Sequence, residues 1–253
     1  MADMAGAGAD NPNDPDAAAR RRRWVEQVYD PFRERARRDL FLSLAVFCNQ
    51  NRPEAGYYFE FGCHGARTMR LAYDAFHALF DWSYVAFDSF AGLPEVGDVD
   101  RHPGWRRGAL STSEEDFVRA VVGHGMPCEK LLTVPGFYQR SLTPELRDRL
   151  LPARAAVILV DCDLYESTVP VLEFARPFLT RGTVLVFDDW FCFCGDPERG
   201  ERRAFREFRE RHPGLRFEDF LQGSEAKAFI YLGEQAAPGA AAPGAPAPGV
   251  TGR

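Results

Sequence analysis

The 253-residue sequence predicts an α/β fold in which a mostly parallel sheet is covered by helices on both faces. Segments typical of strands alternate with segments typical of helices along the chain, as in parallel sheets with helical connections. Two strand segments, 156–160 and 183–187, are apolar apart from Thr183, which indicates strands buried on both faces. With 45% hydrophobic and 27% charged residues, the composition is that of a globular protein.

The individual elements follow from apolar periodicity and from residues that start or stop helices. Apolar positions that recur every three or four residues predict a helix, and short apolar runs followed by glycine or aspartate predict a strand. Ser113, with Glu114 and Asp116 behind it, is typical of a helix start. In chain order, the predicted elements are helix 32–49, strand 57–61, helix 66–80, strand 84–87, helix 113–123, strand 130–134, a helix after 143–144, strand 156–160, helix 167–180, strand 183–187, helix 197–211 and a closing antiparallel pair, 216–220 and 228–232.

The two ends of the chain differ in composition from the rest. Residues 1–19 are mostly Ala, Gly, Asp, Asn and Pro, and residues 235–253 are mostly Ala, Pro and Gly. Neither segment has enough apolar side chains to offset the entropy lost on ordering, so both are expected to be disordered. Residues 20–234 are then expected to form one domain.

Charge and composition argue against several classes of function. The formal net charge is −6, whereas nucleic-acid binders usually carry a basic surplus. No segment approaches the roughly 18 consecutive apolar residues of a membrane helix, and the N-terminal residues lack the apolar core of a secretory signal. Six cysteines in a chain of this length are too few for a disulfide scaffold. We therefore expect a cytoplasmic protein that binds neither nucleic acid nor membrane.

A glycine turn and an aspartate follow the first two predicted strands. Glu60, Gly62 and Gly65 form the pattern E-x-G-x-x-G between a strand and a helix, and Asp88 ends the next strand. A glutamate in place of the first glycine of a dinucleotide-binding loop would repel a pyrophosphate, but it suits a ligand with an ammonium group. An acid at the position of Asp88 commonly accepts hydrogen bonds from ribose hydroxyls. The pair predicts S-adenosylmethionine rather than NAD, while a turn glycine and a capping aspartate of structural role stay open as the alternative.

Carboxylates gather at the ends of two later strands. Asp161 ends one apolar strand, Asp188 and Asp189 end the next, and Asp163 is close to the first. Crowded carboxylates repel one another unless they are protonated or neutralised by a cation. An all-oxygen set without paired His or Cys suits a hard ion such as Mg²⁺ (or Mn²⁺). Asp161, Asp188 and Asp189 are therefore predicted metal ligands, whereas Asp163 is equally well interpreted as a helix cap.

The sequence resembles a known family in the segments around these residues. ILVDCDLYEST at 158–168 and GTVLVFDDW at 182–190 are similar to the macrocin O-methyltransferase (TylF-type) family, and FEFGCHGARTMR, AFDSFAGLPE and VPGFYQRSL support the resemblance. It implies the class I methyltransferase fold, a seven-stranded, mostly parallel sheet with an antiparallel last strand. It also implies methylation of sugar hydroxyls on natural products with S-adenosylmethionine and a divalent metal.

The resemblance implies roles for individual residues as well. The methionine part of the cofactor would lie against the glycine loop and the next helix, the ribose at the end of the second strand and the adenine at the end of the third. The implied residues are Glu60, Gly62, Cys63, His64, Gly65 and Thr68 for the methionine part, Asp88, Ser89 and Phe90 for the ribose, Gly136 and Phe137 for the adenine, and Asp161 for contact with both cofactor and metal.

The catalytic base is harder to assign. Metal-dependent catechol methyltransferases have a lysine three residues after the first metal aspartate, but this chain has Leu164 there. We expect metal-assisted deprotonation, with Asp161 or a loop histidine as the proton acceptor. His102 is the first histidine candidate and His64 the second, and an exposed histidine without a role is the alternative for each. The loops 96–110 and 191–200 are predicted to form a lid over the substrate.

These features together predict an O-methyltransferase that depends on S-adenosylmethionine and a divalent metal. The predicted acceptor is a hydroxyl of a glycosylated natural product, on a deoxysugar of a secondary metabolite. A catechol-like aromatic acceptor is the main alternative, because a catechol also presents two adjacent oxygens to one ion. A non-catalytic nucleoside-binding scaffold and a dehydrogenase are further alternatives. We expect a small-molecule glycoside as the partner and a homo-oligomeric assembly.

Overall fold

The computed structural model describes residues 15–235 of the chain. The strands are β1 (Tyr57–Phe61), β2 (Ser83–Asp88), β3 (Leu131–Pro135), β4 (Ala155–Val160), β5 (Val184–Phe187), β6 (Leu215–Gln222) and β7 (Lys227–Glu234). The α-helices are α1 (Pro15–Trp24), α2 (Asp30–Asn51), α3 (Arg67–Phe76), α4 (Glu114–Gly123), α5 (Tyr138–Ser141), α6 (Pro144–Leu150), α7 (Tyr165–Ala175) and α8 (Gly200–Arg211).

These strands form one sheet in the order β3-β2-β1-β4-β5-β7-β6. Strands β1 to β5 pair in parallel, and β7 is antiparallel to both of its neighbours. The predicted α/β class and the reversed last strand are therefore confirmed. The chain steps from β1 outward to β3 and then returns to place β4 on the other side of β1. The carboxyl ends of β1 and β4 thus border the crevice where such sheets bind ligands.

Helices cover both faces of the sheet. On one face, α2, α3 and α4 contribute Leu44, Met69 and Phe117 to a buried apolar cluster. On the other face, α7 and α8 contribute Val171 and Phe205. Strand β4 is buried along its whole length between the two layers, which explains its uniformly apolar sequence. None of the helices between residues 15 and 235 is long and apolar enough to cross a membrane.

Two predicted helices differ from the structure by four or more residues at one end. The helix predicted over 66–80 ends at Phe76, because the chain turns there and the Phe80 ring stacks on Trp82 with 4.2 Å between ring centroids. The helix predicted over 167–180 begins earlier, at Tyr165. It changes after Ala175 to a short 3₁₀ segment that contains a proline, which has no N–H to continue the α-helical pattern.

The N-terminal segment is partly helical. Helix α1 begins at Pro15, so residues 15–19 of the segment expected to be disordered are helical. The alanines at 17–19 favour the helix, since alanine has the highest helix propensity. Residues 1–14 and 236–253, which make up the remainder of the two segments expected to be disordered, lie outside the described residues.

Candidate active site

A cavity of about 480 Å³ opens at the carboxyl ends of β1, β2, β3 and β4. It lies at the crevice between β1 and β4, where the sheet topology leads us to expect a ligand. Most of the site residues predicted from the sequence line it, namely Gly62, Cys63, His64, Gly65, Thr68, Asp88, Ser89, Gly136, Phe137, Asp161 and Asp189. Glu60, Phe90, His102 and Asp188 are not among the lining residues.

Gly62 is required by the close approach of two strands. Its φ angle is +89°, in the region that favours glycine. A Cβ atom at this position would lie 1.7 Å from the carbonyl oxygen of Asp161 at the end of β4. Gly65 differs, because a Cβ atom there would meet no heavy atom within 4 Å. The absence of a side chain at Gly62 therefore allows the end of β1 to pack closely against the end of β4. Gly65, in contrast, borders open space at the cavity.

Asp88 is fixed in the cavity wall by backbone donors. Its Oδ2 accepts hydrogen bonds from the backbone N–H groups of Cys63 at 2.6 Å and His64 at 3.3 Å. Its Oδ1 accepts a third from Phe90 N–H at 2.7 Å. A carboxylate has about four acceptor positions, so one position on Oδ1 stays available for a ligand hydroxyl. The glycine loop and the carboxylate are thus held together before any ligand binds.

Glu60 lies behind the cavity wall and is fully buried. Its carboxylate accepts hydrogen bonds from Tyr58 Oη at 2.6 Å and from Thr68 Oγ1 at 2.7 Å. Burial raises the pKa of Glu60 to about 7, although both donors oppose that shift. Since Thr68 lines the cavity, Glu60 reaches the cavity through this hydroxyl rather than directly.

The end of β3 supplies another wall of the cavity. Gly136 N–H donates to the backbone oxygen of Asp88 at 2.9 Å, which ties the ends of β2 and β3 together. The Phe137 side chain follows at the cavity and is 36% exposed, an unusual exposure for a phenylalanine in a folded domain. Phe90 turns away from the cavity and packs against Phe117, with 5.5 Å between ring centroids.

At the end of β5, arginines from α2 neutralise one of the predicted metal ligands. Asp188 is buried, with 3% of its surface exposed. Its Oδ2 pairs with Arg37 Nη2 at 2.5 Å and with Arg33 Nη2 at 3.8 Å. Arg33 in turn pairs with Glu225 at 2.6 Å, between β6 and β7. Helix α2 therefore supplies positive charge to an acidic region that is remote from it in sequence.

The other acids of this region are not neutralised in the same way. Burial raises the pKa values of Asp161, Asp163 and Asp189 above the usual aspartate range, and the negative charge of Asp188 raises all three further. Glu201 in α8 is also buried, and its Oε2 accepts a hydrogen bond from Asp189 N–H at 3.1 Å. Its Oε1 has no hydrogen-bond partner among the described residues. We name these five residues, Asp161, Asp163, Asp188, Asp189 and Glu201, the acidic cluster.

The acidic cluster suits a hard divalent ion in its chemistry, because all of its donors are carboxylate oxygens. In this structure, however, the side chains are not arranged to hold such an ion. Within residues 15–235, no group of three or more His, Cys, Asp or Glu side chains is arranged to hold a metal ion. The Asp188 carboxylate is already paired with Arg37. Binding of an ion by Asp161, Asp188 and Asp189 together requires Asp188 to exchange this guanidinium for the ion.

The two candidate histidines lie in different surroundings. His102 faces a group of aromatic rings, with centroids 4.4 Å from Trp105 and 5.8 Å from Phe193. His64 is exposed and lines the cavity, and its Nδ1 lies 3.3 Å from Thr112 Oγ1. Of the proton acceptors considered from the sequence, Asp161 and His64 therefore line the cavity, and His102 does not.

The two predicted lid loops contact each other directly. Arg199 Nη2 donates to the backbone oxygens of Val99 at 3.2 Å and Arg101 at 2.9 Å. Its guanidinium also lies 4.2 Å from the centroid of the Phe193 ring. In the first loop, buried Asp100 accepts hydrogen bonds from the N–H groups of the first two residues of α7, at 2.7 and 3.1 Å. The lid segments are thus joined to each other and to α7.

Arg33 and Arg37 are two charged residues of the candidate site that the sequence analysis did not identify. Both line the cavity, although α2 precedes every strand of the sheet. Their i, i+4 spacing puts them on one face of the helix. The same helix also carries Arg35 and Arg38, which are exposed, so spacing alone does not identify the pair that faces the site.

The order and directions of the strands and the position of the cavity are those of the class I methyltransferase fold. Two solved structures share this fold. The calicheamicin methyltransferase CalS11 superposes with a TM-score of 0.63 at 22% identity, over 90% of this chain and 95% of that one. The O-methyltransferase NovP superposes with a TM-score of 0.62 at 23% identity, over 78% of this chain and 80% of that one.

Within this class, the chain belongs to the macrocin-O-methyltransferase (TylF) family, whose sequence model matches residues 59–215. The mycinamicin III 3''-O-methyltransferase of Micromonospora griseorubida is 28% identical over 167 residues, which cover 63% of this chain and 60% of the relative. The demethyldecarbamoylnovobiocin O-methyltransferase of Streptomyces niveus is 31% identical over 121 residues, which cover 45% of this chain and 44% of the relative. The chain thus spans about half the length of these curated relatives.

Proposed function

We propose that this chain is an S-adenosylmethionine-dependent O-methyltransferase that methylates a sugar hydroxyl of a glycosylated secondary metabolite. Family membership supports the reaction type. The observation that carries the proposal is the single cavity that joins a backbone-anchored aspartate, Asp88, to the acidic cluster at Asp161 and Asp189. Such a cavity can hold a nucleoside at one end and an ionisable hydroxyl at the other.

The cofactor is proposed to lie across the ends of the strands in sheet order. Its ribose binds the free acceptor position of Asp88 at the end of β2, and its adenine lies at the end of β3 beside Phe137. The methionine part then extends over the glycine loop towards β4, because β1 and β4 are the next strands in the sheet. This course brings the sulfonium methyl group towards the acidic cluster.

Asp161 is the proposed proton acceptor. It lines the cavity at the end of β4, and burial raises its pKa, so its carboxylate binds a proton more readily than an exposed aspartate does. In the transfer, the acceptor oxygen forms a bond to the methyl carbon while the bond between that carbon and sulfur breaks. The hydroxyl proton passes to Asp161, and neutral S-adenosylhomocysteine leaves. Most of the remaining rate enhancement comes from holding the two reactants in line.

We include a divalent ion, Mg²⁺ or Mn²⁺, in the proposal, held by Asp161, Asp188 and Asp189. When bound, such an ion would stabilise negative charge on the acceptor oxygen. The all-oxygen donor set supports it, as do the raised pKa values of Asp161 and Asp189, which burial and then the negative charge of neighbouring aspartates produce. Asp188 is paired with Arg37, so it would have to release this guanidinium in order to bind the ion.

The sugar acceptor is proposed from the relatives and from the lid. A relative from Streptomyces olivaceus, 34% identical over 110 residues, is a 4'-O-methyltransferase of a rhamnosyl-tetracenomycin and so acts on a substrate that carries a sugar. The predicted lid loops 96–110 and 191–200 pack Trp105 against buried Phe193, with 4.9 Å between ring centroids. This contact leaves the partly exposed Trp105 ring as an apolar surface on which an aglycone can pack.

Methyl transfer from S-adenosylmethionine labelled in its methyl group tests this proposal. Glycosylated macrolides with free sugar diols and simple catechols would be compared as acceptors at equal concentration. We expect label to enter the sugar of at least one glycoside and the catechols to react far more slowly. Rapid methylation of catechols without any reaction of glycosides would overturn the sugar acceptor, and transfer to neither class with the cofactor bound would overturn both.

A further inference from the structure

Four arginines line the cavity, and one of them differs from the others in its partners. Arg33 is paired with Glu225 at 2.6 Å, Arg37 with Asp188 at 2.5 Å and Arg67 with Glu34 at 3.7 Å. For Arg70, the part of the chain between residues 15 and 235 offers no carboxylate within ion-pair distance. A guanidinium that is partly buried at a cavity wall without an anion is costly unless a ligand supplies one.

The guanidinium of Arg70 is held in place by its own helix. Its Nε donates to the backbone oxygen of Ala66 at 3.2 Å, one turn earlier. This bond directs the side chain back towards the first turn of α3, which follows the glycine loop 62–65. The two terminal nitrogens make no hydrogen bond to any described residue, so they keep the paired N–H groups with which arginine binds a carboxylate.

The sheet order determines which part of the cofactor reaches Arg70. Asp88 and Gly136 lie at the ends of β2 and β3. In the proposed binding mode, the nucleoside therefore lies over that side of the sheet. The part that remains must extend over β1, whose loop leads directly into α3 and Arg70. In S-adenosylmethionine that part is an amino acid, which carries one carboxylate and one ammonium group.

We propose that Arg70 binds the carboxylate of the methionine part of the cofactor through its terminal nitrogens. This inference rests on the proposed cofactor and adds a binding residue for it. The acids that line the same cavity, Asp30, Asp88, Asp161, Asp163 and Asp189, repel a carboxylate, so the cofactor carboxylate is left to an arginine. The arginine paired with Glu34, Arg67, lies on the same helix and offers a matched comparison.

Calorimetric titration with two ligands tests the assignment. S-adenosylhomocysteine contains the amino-acid part, and 5′-methylthioadenosine lacks it. For Arg70→Met, we expect affinity for S-adenosylhomocysteine to fall about ten- to hundredfold and affinity for 5′-methylthioadenosine to change by less than about twofold, because the latter makes no charge-assisted bond to lose. Arg70→Lys should recover part of the affinity for S-adenosylhomocysteine. Arg67→Met should change it by less than about threefold, since exposed ion pairs contribute little.

Three outcomes would overturn the role of Arg70: equal loss of both ligands, loss of neither, or the larger effect in Arg67→Met. Thermal unfolding of each variant separates ligand contacts from misfolding. Wild-type protein that binds neither ligand would instead contradict the proposed cofactor. Wild-type protein that binds both, with Arg70→Met unable to distinguish them, would contradict the role of Arg70 alone.

Discussion

The two halves of the candidate site hold their acids by different means. At the ends of β1 and β2, the Asp88 carboxylate accepts three backbone N–H bonds, the most distant from a residue 25 positions away. At the ends of β4 and β5, Asp188 is neutralised by the side chain of Arg37, 151 positions away. Backbone donors cannot leave without unfolding the loop, whereas a side-chain cation can be exchanged.

From this difference we infer that one half of the site binds the cofactor and the other takes part in the reaction. The half around Asp88, which we call the cofactor half, is in place before a ligand arrives, and a preformed site reduces the entropic cost of binding. Among residues 15–235, Glu201 Oε1 of the acidic cluster is buried without a hydrogen-bond partner, and burial together with neighbouring aspartates raises the proton affinity of Asp161. The acidic cluster is therefore suited to the methyl-transfer step, in which a proton leaves the acceptor hydroxyl and the charges of the reacting groups change.

Removal of divalent ions is expected to have the largest effect, and only on the acidic cluster. Dialysis against EDTA should abolish methyl transfer, and added Mg²⁺ or Mn²⁺ should restore it, because the acids of this cluster repel one another without a cation. Affinity for S-adenosylhomocysteine, measured in the same samples, should stay unchanged. Full turnover in the chelator would show that methyl transfer needs no divalent ion and would contradict the proposed metal site. Calorimetry with Mg²⁺ on Asp188→Asn provides a readout that does not depend on turnover.

Replacing each glycine of the loop by alanine tests the rigidity of the cofactor half. Gly62→Ala should destabilise the fold by more than about 4 kcal/mol, because the new Cβ collides with the Asp161 carbonyl. Gly65→Ala should change the free energy of unfolding by less than about 1 kcal/mol, since its Cβ meets open space. Urea denaturation measures both. Similar stabilities for the two variants would show that the β1 and β4 ends are not packed as tightly as described.

A smaller effect is expected for Glu60, which lies behind the cofactor half. Burial raises its folded-state pKa to about 7 from an ordinary value of 4.5. Folding therefore favours the protonated form, so its contribution to stability falls as the pH rises from about 4.5 to about 7 and is constant above that. Glu60→Gln should remove this decline, so it gains up to about 3 kcal/mol relative to wild type between pH 4 and pH 8. A constant difference between the two proteins across that range would show that folding does not raise the pKa of Glu60.

The cofactor half was largely predictable from sequence, because its contacts are local to strand ends. The glycine of the turn, the aspartate at the end of β2 and the wall at Phe137 follow from alternating strands and helices. The cations of the acidic cluster were not predictable. Arg37 meets Asp188 only after α2 packs across the sheet, and no local pattern distinguishes it from the exposed Arg38.

Side-chain direction was the other feature that sequence did not determine. Glu60 has the position in the chain expected of a cofactor ligand, yet Tyr58 and Thr68 hold it behind the wall. His102 lies in the predicted lid, but its ring packs against Trp105 and not towards the cavity. Both orientations depend on packing partners that become neighbours only in the folded chain.

Matched substitutions in the two halves test most directly whether cofactor binding is separate from the reaction. Asp88→Asn and Asp161→Asn each replace one carboxylate by an amide of the same size. We expect Asp88→Asn to lower affinity for S-adenosylhomocysteine about tenfold or more. We expect Asp161→Asn to retain wild-type affinity while turnover falls by about a hundredfold or more. Loss of cofactor affinity in Asp161→Asn, or wild-type affinity in Asp88→Asn, would contradict the separation of binding from chemistry.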